Sequence, residues 1–89
     1  MRAVYRIYTE DLQEDKIAEI VSCSFEGFTI YHANGYWNGV AEKSLIIEII
    51  GDFDEEKEKR VNRVARSIKR LNHQECVLIQ KFHCESFLL

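Results

Sequence analysis

The side chains between residues 31 and 38 hold the densest chemistry in this sequence: Tyr31, His32, Asn34, Tyr36, Trp37 and Asn38. Tyr and Trp offer flat apolar faces with a polar edge, suited to stacking on a base. Asn carries donors and an acceptor side by side and can read a base edge. Lys43 and Arg6 could bring positive charge to a phosphate. Together these residues predict a site for a small nucleotide-like or anionic ligand. They also admit a purely architectural purpose, a hairpin stiffened by aromatic residues and reversed by Asn34-Gly35 and Asn38-Gly39. Trp37, between the two Asn-Gly pairs, is hard to bury within one subunit, which favours a cleft or an interface.

Three other constellations bear on function. Glu48, set among isoleucines, could act as an acid or base, and with His32 it would make a small hydrolase or nuclease. Its other reading is a structural partner for Arg6 or Lys81 on neighbouring strands. No nucleophile, base and orienter are arranged together, so no catalytic residue is assigned and a non-enzymatic protein is expected. Lys59, Arg63, Arg66 and Arg70 fall on one helical stripe and could face nucleic acid. They fit equally a solvated face with Glu55–Lys59 and Glu56–Arg60 pairs. His32, His73, His83, Cys23, Cys76 and Cys84 show no metal-ligand spacing. Neither a metal nor a cofactor is expected, and Cys23 and Cys76 read as small core residues.

Composition narrows the class. The chain has 89 residues, 46% hydrophobic and 30% charged, with a net charge of −3. That suits one folded domain and argues against nucleic acid as the partner. No apolar run approaches the ~18 residues of a membrane span, and the first six residues lack a signal-peptide core. Three cysteines cannot all pair and none forms C-x-x-C, which predicts a reducing, cytoplasmic setting, or the host cytoplasm for a viral product. A chain this small buries roughly 60–65% of its unfolded surface, so association with its own copies would help.

The elements that position these residues follow from periodicity. Residues 3–8 alternate as a strand, with Ala3, Tyr5 and Ile7 on one face. A helix is predicted over 11–22, capped by Asp11 with Glu14 three residues on. A strand covers 25–33, Asn34-Gly35 turns the chain, and a third strand runs over 44–50. A second helix starts after Asp52 or Asp54, acidic at its start and basic at its end. Val61, Val64, Ala65, Ile68 and Leu71 form its apolar stripe, and Asn72 is its predicted left-handed end. A fourth strand covers 76–82, and an apolar tail occupies 83–89. The order predicts an α+β, ferredoxin-like βαββαβ domain over residues 1–82: a four-stranded antiparallel sheet with two helices on one face.

The uncovered face of that sheet should be polar in a monomer. Instead the third strand is apolar on both sides except at Glu48, and the fourth carries Leu78 and Phe82 opposite Val77 and Ile79. The tail adds Phe87, Leu88 and Leu89. Such a patch marks an interface, so a homo-oligomer with sheets packed inward is expected, the tail at its interface. The competing reading folds the tail back over the same sheet.

The segment Gly27-Phe-Thr-Ile-Tyr-His-Ala-Asn-Gly-Tyr-Trp-Asn-Gly, followed by Glu42-Lys-Ser-Leu-Ile-Ile-Glu-Ile-Ile50, resembles the PII-like and CutA-like proteins. Those carry a Gly-x-Thr-apolar strand, a Gly-aromatic turn and a Ser-Leu-apolar strand. The resemblance spans most of residues 3–82. It implies a homotrimer with sheets facing a central axis and ligands, adenine nucleotides or small anions, in clefts between subunits. The protein would then act as a sensor or as a sequestering protein. PII proteins have a longer loop between strands 2 and 3 and a glycine-rich loop after the second helix. Leu71-Asn-His-Gln-Glu75 has no glycine, which implies a different ligand from the usual one.

Overall fold

The computed structural model describes residues 2–52 and 54–89. Its elements are β1 (Arg2–Glu10), α1 (Glu14–Ser22), β2 (Thr29–Trp37), β3 (Val40–Asp52), α2 (Glu55–Leu71) and β4 (Leu78–His83). The strands pair antiparallel in the order β2-β3-β1-β4. This is the expected ferredoxin-like arrangement. Ile17 and Val21 of α1 and Val61, Val64, Ala65 and Ile68 of α2 pack on Ala3, Tyr5, Ile7, Leu45, Ile47 and Ile49. Both helices therefore cover one face of the sheet, and burial of these side chains is the main stabilising term. Among the described residues no helix is long and apolar enough to cross a membrane.

Helix α2 begins where the charge pattern places it. Asp54 accepts from the Lys57 backbone N–H at 2.9 Å, which holds its carboxyl below the ordinary carboxylate value. Its other end differs from expectation. Asn72 sits at φ −88°, and His73 is the left-handed residue at φ 53°. Gln74 N–H donates to Lys69 and His73 N–H to Arg70, the paired bonds of a Schellman end. Asn72 is instead used as a clasp: its Nδ2 donates to Thr9 Oγ1 at 3.0 Å and to the Glu10 carbonyl at 3.2 Å. Thr9 in turn bonds Gln74.

The start of α1 also differs. The residue before it is Gln13, which makes no side-chain capping bond. Gln13 Nε2 reaches the Leu71 carbonyl at 3.3 Å and ties the two helices together. Asp11 lies outside the helix, its N–H on the Lys43 carbonyl at 3.0 Å.

One of the two Asn-Gly pairs makes the turn, and it is the second. Asn38 (φ 50°) and Gly39 (φ 76°) form the two positive-φ positions of a type I′ hairpin. Asn34 and Gly35 lie within β2, opposite Lys43 and Glu42. A Cβ at position 35 would stand 2.6 Å from Ser44 Oγ, so a side chain there would make Ser44 turn away. β1 ends opposite Ser44. Residues 34–43 therefore extend past the sheet as a two-stranded ribbon, not as a loop. Cys23 and Cys76 are exposed, not core residues, because each falls just outside the element whose periodicity would have buried it.

Candidate functional site on the open sheet face

Strand alternation sorts the candidate residues into two groups. The helices cover the face that carries Ile7 and Ile47. The opposite, open face carries Arg6, Tyr8, Ile46, Glu48 and Ile50 on β1 and β3. By register it also carries Tyr31 on β2 and Leu78, Gln80 and Phe82 on β4.

At its centre Glu48 Oε2 accepts from Arg6 Nε at 2.8 Å, and Oε1 accepts from the Tyr31 hydroxyl at 3.1 Å. Glu48 is buried, with its side chain 9% exposed, while Arg6 is 38% exposed. Three adjacent strands thus contribute one side chain each to a single cluster. The Arg6 guanidinium also lies over the Phe82 ring, 5.0 Å from its centroid. Beside it the Tyr8 hydroxyl donates to Gln80 Oε1 at 2.7 Å. Lys81, the other partner expected for Glu48, points to the helix side and pairs with Glu58 at 2.8 Å.

The electrostatics follow from these contacts. The bond to Glu48, with lesser help from Tyr8, makes the Arg6 proton harder to remove. The same carboxylate pushes the Tyr31 hydroxyl above its usual range, because its proton is shared with an anion. Tyr31 is therefore a donor at neutral pH, not a base. The cluster is a balanced arginine–carboxylate–phenol set framed by exposed apolar side chains: Ile50 is 49%, Leu78 57% and Phe82 38% exposed. It can hold a polar, partly charged group against an apolar wall.

The remaining candidates lie elsewhere. His32, Asn34, Tyr36 and Lys43 have the opposite parity and face the helix side of β2 and β3. His32 Nε2 bonds Glu14 Oε1 at 2.5 Å. The pairing of His32 with Glu48 is thus excluded: Glu48 stands opposite Thr29 and His32 opposite Leu45, on different faces. Asn38 is in the turn. Trp37 shares the face of Tyr31 but sits at the ribbon tip, 73% exposed. Asp11, Glu14 and His32 bring ligand-type atoms within 4.8 Å of one another. Asp11, His32, Asn34 and Lys43 also line a hollow of about 230 Å³. This is the one trio of metal-ligand type among the described residues.

The basic stripe of α2 stands as a solvated face, with Lys59, Arg63, Arg66 and Arg70 all exposed. Of its expected pairs, Glu56–Arg60 closes at 3.3 Å. The residues that sequence reasoning left out of the site are Tyr8, Gln80 and Phe82. Their shared parity with Arg6 in an antiparallel register is the signal that could have found them.

No protein-family model matches the sequence, and no curated protein does. Solved structures do. A phage SAM lyase in complex with S-methyl-5′-thioadenosine aligns with a TM-score of 0.73 at 15% identity, over 92% of this chain and 81% of that one. A nitrogen regulatory PII-like protein from Thiomonas intermedia, bound to ADP, AMP and bicarbonate, aligns with a TM-score of 0.63 at 10% identity, over 98% and 96%. CutA from Synechococcus elongatus aligns with a TM-score of 0.56 at 6% identity, over 93% and 76%. The chain has the ferredoxin-like fold of the PII-like and CutA-like proteins. The expectation of a non-enzymatic protein is corrected by the first of these. An enzyme is built on this fold, so the absence of a recognisable triad in the sequence was no argument against catalysis.

Proposed function

We propose that the protein is an oligomeric lyase that binds S-adenosylmethionine at seams between copies and cleaves it to S-methyl-5′-thioadenosine. The observation that carries this reading is Glu48, buried on the open sheet face among Ile46, Ile50 and Phe82 and held by Arg6 and Tyr31. The fold shared with the phage SAM lyase supports the substrate class, and the adenine nucleotides on the PII-like protein support an adenosine 5′-derivative more generally.

Surface area supports the seams. The chain exposes 6380 Å², whereas a compact monomer of 10.5 kDa exposes about 5,400 Å². The excess is comparable to the roughly 800 Å² that each partner gives to a standard interface. Copies packed on their open faces would turn a flat cluster into a walled cleft. The PII-like and CutA-like frame favours three copies.

The chemistry suits such a cleft. When the C–S bond breaks, both electrons go to sulfur, and the sulfonium becomes a neutral thioether that takes up no proton. The substrate's own carboxylate oxygen attacks the carbon that loses sulfur, so a C–O bond forms as the C–S bond breaks, homoserine lactone leaves beside the thioether, and no water or second reactant enters. Positive charge disappears on the way to the transition state, which an apolar, water-poor wall favours. Arg6 is placed to hold the substrate carboxylate, Glu48 its ammonium group, and Tyr31 keeps Glu48 oriented.

The test is incubation of the purified protein with S-adenosylmethionine, with products separated by chromatography. S-methyl-5′-thioadenosine is expected, and its formation should fall about 10²-fold in Glu48→Gln. Substrate recovered intact, or cleavage unchanged in Glu48→Gln, would overturn the reading.

A further inference from the structure

We infer that residues Phe87–Leu89 form a peg that seats on the open sheet face of a second copy and walls the Arg6–Glu48 cluster. This rests on the oligomeric reading above and names the contact that builds the seam.

The base of the tail is fixed. Cys84 N–H donates to the Arg2 carbonyl at 3.3 Å, so the chain leaves β4 still tracking β1. Arg2 then binds the Ser86 carbonyl through Nε and a terminal nitrogen, each at 3.2 Å. Arg2 stands opposite Asp52, with the parity of Val4 and Arg6, and so belongs to the open face. It draws Ser86 towards that side.

Beyond the anchor the last three side chains stand in the open among the described residues. Phe87 is 80% exposed, and Leu88 and Leu89 are fully exposed. Val4 on this face is buried beside the base of the tail, whereas Ile50, Leu78 and Phe82 stay open, so the last three residues do not roof their own sheet. One chain thus presents a directed apolar segment and an unfilled apolar surface, both on the same side. Two surfaces that water disfavours, repeated on every copy, complement each other when one copy's tail covers its neighbour's sheet. Three large side chains are also enough to make the segment a principal part of a contact of standard size.

Removal of residues 87–89 from the full chain tests this by light scattering and native mass spectrometry over a dilution series. The dissociation constant of the oligomer should rise about 100-fold, with circular dichroism unchanged because Phe87, Leu88 and Leu89 are largely exposed in their own chain. Leu78→Ser, on the receiving face, should weaken assembly in the same direction. A photoreactive benzoylphenylalanine placed at Leu88 should cross-link to the Leu78–Phe82 peptide of another copy. A full-length oligomer whose dissociation is unmoved by the truncation, or a cross-link that lands elsewhere, overturns the peg alone. A full-length chain that stays monomeric overturns both the peg and the oligomeric reading beneath it.

Discussion

Tyr31 and Glu48 meet across two strands on the open side of the sheet, the phenol hydroxyl donating to Oε1 at 3.1 Å while Arg6 holds Oε2. A carboxylate bonded at both oxygens is fixed in place, and its removal leaves two donors facing an apolar surface. Glu48→Gln keeps the shape but leaves a single accepting oxygen, so one bond is lost and the other loses its charge. It should cost about 1 kcal/mol in urea unfolding, and Glu48→Ala about 1–3 kcal/mol. Equal unfolding midpoints for all three proteins would show that the cluster is not preorganised.

In the ribbon of residues 34–43 the strands approach closely at Gly35. A Cβ at position 35 would stand 2.6 Å from Ser44 Oγ. Gly35→Ala should be more stabilising in a Ser44→Ala chain than in the parent by up to about 1 kcal/mol, the cost of displacing the Ser44 hydroxyl. The double-mutant cycle reads this directly. Additive effects would mean that the Ser44 hydroxyl turns away at no cost.

The cap of α2 gives a pH dependence of known sign. The Asp54 carboxyl is held below its ordinary value of 3.8 by the Lys57 N–H. Its stabilising effect is therefore complete above that value and is lost as pH falls through the lower folded-state value. Asp54→Ala should lower the melting temperature at about pH 7 and lower it much less at about pH 2.5. A deficit that persists unchanged in acid would show that the cap acts through something other than its charge.

Much of the frame was legible in the sequence because its signals are periodic. The stripe Val61, Val64, Ala65 and Ile68 dictates α2, and residues 45–50, apolar on both faces except at Glu48, announce a strand with large apolar side chains on the uncovered side. The parts that were not legible are choices between equal local signals. Asn34-Gly35 and Asn38-Gly39 are the same dipeptide, and only the long pairing of β2 with β3 selects the second as the turn. Asn72 looks like a left-handed helix end, but its amide is drawn to Thr9 and Glu10, and His73 takes that conformation. Proximity in sequence also misled. Tyr31 and His32 are neighbours in the chain and lie on opposite faces, whereas Arg6, Tyr31 and Glu48 are distant in sequence and meet.

The three-strand cluster of Arg6, Tyr31 and Glu48 is the proposed seat of an adenosine 5′-derivative. Calorimetric titration of S-methyl-5′-thioadenosine into the intact protein, beside its Arg6→Gln and Glu48→Gln variants, tests it most directly. Saturable binding by the intact protein that weakens tenfold or more in both variants is the predicted result. Binding of equal strength in all three, or none in any, would contradict it.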